Sequence, residues 1–171
     1  MEDINMDSLA IWFMNTLGQF VSREIVIFII SMIPILELRG GLLVASLLDV
    51  SITTAIPICI VGNIIPIPFI LLFIKQIFKW LKKIKLFRGM VERMETKAMG
   101  KSDTIKKYEF WGLMLFVGIP LPGTGAWTGS LIAALLDIDF KKAIIAELCG
   151  IIIATVIMSI VSYGLLGALI S

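Results

Sequence analysis

The sequence predicts an all-α integral membrane protein: a single membrane domain over residues 1–171, folded as an inverted repeat whose units are each a re-entrant helical hairpin plus a transmembrane helix. Three observations carry that expectation. Hydrophobic residues make up 58% of the chain and charged ones 16%, and the mean hydropathy is +1.01, more apolar surface than a soluble domain of this length can hide. Residues 50–74 and 148–171 carry no charge at all, and each is long enough for a hydrocarbon core of about 30 Å, which needs about 20 apolar residues. Finally, the text of residues 34–62 returns at residues 122–150, 88 positions later and without a gap. Gly41, Leu47, Asp49, Ala55 and Gly62 recur as Gly129, Leu135, Asp137, Ala143 and Gly150. Leucines and alanines match by chance in any apolar chain; a proline, two glycines and an aspartate in one register do not.

Residues 1–23 are expected to form an amphipathic helix, with Leu9, Trp12, Phe13, Leu17 and Phe20 on one face. Glu2, Asp3 and Asp7 stand where a signal peptide would be basic, and no small-residue cleavage site follows, so the segment should stay in the mature protein. Repeat 1 occupies residues 24–80, with a hairpin at 25–48 and a span at 52–78. The hairpin's apolar run is interrupted by Pro34, Glu37, Arg39, Gly40 and Gly41. Asn63, Pro66 and Pro68 predict a kink within the span. Residues 81–108 form a basic amphipathic linker. Eleven of the fifteen Lys and Arg lie between Lys75 and Lys107, which makes this segment cytoplasmic by the positive-inside rule. Ile84, Phe87, Val91 and Met94 recur at helical spacing among those cations, as in a helix resting on an anionic leaflet.

Repeat 2 occupies residues 109–171, with a hairpin at 110–136 and a span at 143–170. Its hairpin breaks at PLPGTGAWTG, residues 120–129. Proline removes a backbone donor and clustered glycines weaken helix, so neither broken segment reads as continuous helix. Unpaired backbone at membrane depth is tolerated only inside protein or against water. If each repeat crosses once, the second is inverted and the hairpins enter from opposite faces to meet at the centre. The competing arrangement has both broken segments cross fully as kinked helices, with parallel repeats and both termini inside.

Paired units with Gly/Pro-interrupted segments point to a transporter, its site where those segments meet. The expected substrate-binding residues are Arg39, Gly40, Gly41, Pro122, Gly123, Thr124, Gly125, Trp127 and Thr128, since a guanidinium and a helix N-terminus rich in free NH groups both hold anions. Ionisable groups inside a membrane segment usually mark a pathway, relay or ligand site. Glu37, Asp49 and Glu147 are therefore the candidates for proton or ion coupling. The plainer alternatives are that Glu37 and Arg39 only pin a hairpin tip, that Asp49 and Asp137 are caps, and that Glu147 is interfacial. Cys59 and Cys149 sit in apolar stretches as small hydrophobes. No metal or other cofactor is expected.

The pairing of Pro34, Glu37, Arg39, Gly40 and Gly41 with PLPGTGAWTG resembles the small multi-drug export family of prokaryotic membrane proteins, related to the broader DedA superfamily. The resemblance covers most of the chain from about Pro34 onward. It implies two re-entrant hairpins in an inverted repeat. DedA relatives are implicated in moving polyprenyl-phosphate carrier lipids across the membrane, coupled to ions or protons. Their first-hairpin acid is matched by Glu37, and a second acid twelve residues on by Asp49. They also carry arginines in the second hairpin, which residues 110–136 lack, leaving Arg39 as the substitute.

The reading is a proton- or ion-coupled transporter or flippase of an anionic amphipathic substrate such as a polyprenyl-phosphate carrier lipid, in the prokaryotic cytoplasmic membrane. The alternatives are a small multidrug exporter or a non-transporting assembly subunit. An embedded enzyme has little support: the chain has no histidine, and no HExxH or GxSxG motif. The expected partners are the membrane and a lipid or amphipathic small molecule, with no nucleic acid. At this chain length a homodimer is the expected way to complete a cavity.

Overall fold

The computed structural model describes residues 22–100, 105 and 108–165. The expected amphipathic helix of residues 1–23 falls almost wholly outside them. Helix α1 (Arg23–Met32) starts at Ser22, whose extended backbone and hydroxyl, accepting from the Ile25 amide at 3.4 Å, make it an N-cap. It ends because Ile33 precedes Pro34 and adopts an extended conformation, as steric contact with the proline ring demands. The turn passes through Ile35, at φ 79°, and α2 (Glu37–Leu47) opens with Glu37 at φ 51°. Two non-glycine residues in the left-handed region cost about 1–3 kcal/mol each.

α1 and α2 fold back on each other. A Cβ at Gly41 would strike Ser31 of α1, and one at Gly40 would lie 3.5 Å from Ile30. At the open end Arg23 donates from Nη1 to the Leu48 carbonyl at 2.7 Å. Asp49, at φ 55°, then closes α2: the Val50 amide reaches the Ala45 carbonyl at 3.0 Å, a Schellman closure with aspartate where glycine is usual.

Helices α3 (Ile52–Ile64) and α4 (Pro66–Leu81) form one apolar span of 30 residues, whose most apolar window of 18 residues has a mean hydropathy of 2.4. Only 33% of its most apolar window is buried, so it is an outward-facing helix rather than the core of a soluble domain. The sequence places its end near residue 78; the helix continues to Leu81 because nothing between them breaks the pattern. Helix α5 (Lys85–Met99) lies within the basic linker, and Val91 and Ala98, one heptad apart, are buried against the bundle. The linker helix thus spends a face on protein as well as presenting Leu86 outward at 82% exposure.

Helices α6 (Phe110–Gly118) and α7 (Ala126–Leu135) repeat the first pair. α6 ends where Ile119 precedes Pro120. α7 ends as α2 does: Asp137 has φ 55°, and the Ile138 amide reaches the Ala133 carbonyl at 3.0 Å, each residue 88 beyond its counterpart. Helix α8 (Phe140–Ser159), N-capped by Asp139 on the Lys142 amide at 3.0 Å, runs on through a π-helical segment, Ile160–Leu165, forming the second long apolar helix. It therefore starts three residues before the expected span.

Glycines set the helix packing in both halves. A Cβ at Gly62 of α3 would lie 2.8 Å from the Phe28 carbonyl and 2.9 Å from Ser31 Cβ; one at Gly150 of α8 would lie 2.7 Å from the Met114 carbonyl and 2.7 Å from Val117 Cβ. The α1 and α6 residues of these contacts are 86 apart, not 88, so the second turn is two residues longer than the first.

The two helix pairs open at opposite ends of α8. Lys142, near its start, pairs with Glu109 before α6, and Lys75 of α4 pairs with Asp137 after α7. At the far end, Tyr163 donates to the Val50 carbonyl at 2.8 Å and Ser46 donates to the Ser162 carbonyl at 2.8 Å. Tyr163 lies 21 positions beyond Lys142, about 30 Å along the helix.

Candidate functional site

The turns of the two helix pairs meet through the side chains that looked least at home in an apolar chain. Glu37 is 3% exposed. Its Oε2 accepts from the Ala126 amide at 3.1 Å and its Oε1 from the Trp127 amide at 2.9 Å. These are free NH groups of the first turn of α7, whose own N-cap position is Gly125 and supplies no side chain. A residue on the first turn therefore caps a helix of the second half, with a full negative charge at the positive end of the dipole. Gly125 has φ 130°, and a Cβ there would strike the Glu37 carboxylate; glycine is required on both counts.

Arg39 takes the opposite helix end. Its Nη2 donates to the carbonyls of Val117 and Ile119, at 3.2 Å each, and to Thr124 Oγ1 at 3.0 Å; its Nη1 donates to the Leu121 carbonyl at 2.9 Å. The break at Pro120 strips the last turn of α6 of intrahelical donors, and the guanidinium fork replaces them. Glu37 and Arg39, two residues apart and pointing differently, are thus matched to the N-terminus of α7 and the C-terminus of α6. They form no ion pair with each other.

Trp127, 88 positions beyond Arg39, reciprocates: its Nε1 donates to the Met32 carbonyl, at the C-terminal end of α1, at 3.1 Å. Thr124 holds the second turn through the Leu121 amide at 3.2 Å. Gly40 and Gly41 bring α2 against α1. Asp49 is exposed at the helix end and Asp137 is paired to Lys75, both in capping positions.

Glu147 of α8 is fully buried. Ser130 donates to its Oε2 at 2.7 Å, and its Oε1 has no hydrogen-bond partner. On α3, Asn63 is buried with its Oδ1 likewise unpartnered. Ser130 was not legible as a site residue, because its link to Glu147 depends on how α7 packs on α8.

A cavity of about 310 Å³ adjoins the joined turns, lined by Pro34 and Ile35 from the first, Gly123, Trp127, Thr128 and Leu131 from the second, Ile70, Ile74 and Phe78 of α4, and Met94, Lys97 and Ala98 of α5. Of the expected substrate-binding residues, Gly123, Trp127 and Thr128 line it; Arg39, Gly40, Gly41, Pro122, Thr124 and Gly125 lie among the turn contacts beside it. Lys97 was not singled out in the sequence, and Met94 was expected on the apolar face of a linker helix at the membrane surface; both line the cavity instead. Among the described residues no cluster of His, Cys, Asp and Glu is arranged to hold a metal.

A family model described as "Putative small multi-drug export protein" matches residues 37–157, well over half of the chain. The chain belongs to the small multi-drug export protein family. By that description it is a membrane transporter, in accord with its two long, largely outward-facing apolar helices. The matched segment begins at Glu37 and contains both turn-capping charges, the whole of the second turn, and the Ser130–Glu147 pair. No curated protein and no solved structure matches the chain.

Proposed function

We propose that this small multi-drug export protein is a proton-coupled transporter of amphipathic, anionic substrates, of which a polyprenyl-phosphate carrier lipid is one form, working in the prokaryotic cytoplasmic membrane as a DedA-related inverted repeat. The observation that carries the reading is the cavity built where the two turns meet, with lining from both halves. Supporting the inverted, re-entrant arrangement are the opening of the two helix pairs at opposite ends of α8 and the reciprocal bonding of their turns. The basic linker is the cytoplasmic side, and a homodimer is the working unit.

In the mechanism, the contacts of Glu37 with α7 and of Arg39 with α6 hold the turns together. When they part, Arg39 and the N-terminus of α7 become available to an anionic head group and Glu37 to a proton. Glu147 is the second proton site: a buried carboxyl with one oxygen fixed by Ser130 and the other unpartnered has room in its bonding for a proton and no fixed cation to replace it. The capping positions of Asp49 and Asp137 suit them to the membrane edge.

The test is uptake of a labelled alkyl phosphate into proteoliposomes with and without an imposed proton gradient. Gradient-stimulated uptake by wild type and its loss in Glu147→Gln are expected. Uptake no faster than in protein-free liposomes refutes the transporter reading, and unchanged stimulation in Glu147→Gln refutes the coupling role.

A further inference from the structure

The cavity has one charged lining residue, Lys97, and the remaining lining is apolar apart from Thr128. Lys97 comes from α5, the linker helix, which Val91 and Ala98 hold against the bundle. Among the other cations of α4, α5 and the turn between them, Lys82 pairs with Glu95 at 2.5 Å, Arg88 with Glu92 at 2.9 Å, and Lys75 with Asp137, and none of the three lines the cavity. Lys97 has no ion pair among the described residues. No carboxylate lines the cavity.

We infer that Lys97 is a specificity-determining residue, holding the anionic end of a small single-chain amphiphile whose apolar part lies against Trp127, Leu131 and Ile74. The site rejects lipophilic cations of the same shape. This rests on the transporter reading and adds a place and a sign of charge to it. Two features favour this occupant. Charge complementarity is one: a lysine beside an apolar pocket with no acid attracts an anion and repels a cation, and its long stem packs along apolar surface while the ammonium stays wet. Size is the other: the cavity stands at the lower end of the about 300–1,000 Å³ typical of small-molecule sites, room for one chain or ring system and not for the paired chains of a bilayer phospholipid. Because α5 is the linker between the repeats, head-group selection here falls to a segment outside both of them.

The experiment uses the full chain with Trp12, Trp80 and Trp111 changed to Phe, leaving Trp127 as the reporter, in zwitterionic nanodiscs. Brominated alkyl phosphate, alkyl alcohol and alkyl trimethylammonium of one chain length quench it on binding. The phosphate should bind at least about tenfold more tightly than the ammonium. Lys97→Gln should weaken phosphate binding by about five- to tenfold and leave the alcohol unchanged, and Lys97→Arg should keep the preference. Ala98→Phe, which fills the cavity, should weaken all three alike. Equal affinity for the three head groups, a preference indifferent to Lys97→Gln, or quenching unaffected by Ala98→Phe each overturns the site. Full displacement of the phosphate by an anionic phospholipid in the nanodisc overturns the single-chain occupant in favour of a bilayer lipid. Binding does not require transport. A protein that shows this preference and moves nothing across a liposome refutes the transporter reading and leaves the site standing; one that transports all three head groups alike does the reverse.

Discussion

Replacing Glu37 with glutamine removes the charge and keeps the shape, and the structure sets how much that costs. The carboxylate accepts from two amides, at 3.1 and 2.9 Å, with Glu37 3% exposed. A glutamine offers one carbonyl oxygen to one amide and turns its NH2 toward the other, so one buried NH loses its acceptor and meets a donor. Side-chain hydrogen bonds between membrane helices average about 0.6 kcal/mol. Here a charge-assisted bond, about 1.5–3 kcal/mol, is lost and a buried amide is left unsatisfied, about 1–3 kcal/mol. Allowing for relaxation, Glu37→Gln should destabilise the protein by about 2–4 kcal/mol. Reversible unfolding in mixed micelles, followed by tryptophan fluorescence, measures it. Gly125→Ala attacks the same contact from the other side, so the double variant should be less destabilised than the sum of the singles. A loss below about 1 kcal/mol for Glu37→Gln, or full additivity with Gly125→Ala, refutes the capping role.

Other expectations follow from the same contacts. Arg39→Lys supplies a point charge in place of a fork that serves four acceptors and should cost about 2 kcal/mol in the same assay; wild-type stability would show that those bonds are dispensable. Gly150→Ala puts a Cβ 2.7 Å from the Met114 carbonyl, which is backbone and cannot swing aside, so a loss of about 1–3 kcal/mol is expected, and an unchanged midpoint would contradict the close approach of α6 and α8. Gly89 lies in mid-helix on α5 with open space around it, and Gly89→Ala should raise stability by up to about 1 kcal/mol. Destabilisation there would mean that α5 is not helical at that point.

Much of the architecture was readable because it depends on local chemistry. α1 and α6 end where the chain reaches a proline, since the residue before it cannot stay helical. The two long apolar helices follow from uncharged length, and the paired aspartates at helix ends follow from one repeated text. What was not readable depends on groups far apart in sequence. Glu37 and the Ala126 amide are 89 positions apart, and no spacing rule relates an acid to a helix start at that distance. The two extra residues of the second turn were hidden as well, because apolar residues before it carry no register of their own. Lys97 looked like every other lysine of the linker; only the packing of Val91 and Ala98 turns it toward the cavity.

The exchange of caps between the two turns has a consequence for how the chain is made. Once residues up to the end of α4 have been made, Glu37 and Arg39 are already present on the first turn, but the helix ends that take up their hydrogen bonds have not been synthesised. Until α6 and α7 arrive, the first half carries a bare carboxylate and guanidinium in an apolar setting, and α7 has no residue of its own to begin it. Neither half is a finished product. A prematurely ended chain should therefore be unable to settle in the membrane, and the two halves expressed as separate polypeptides should each accumulate only when the other is present.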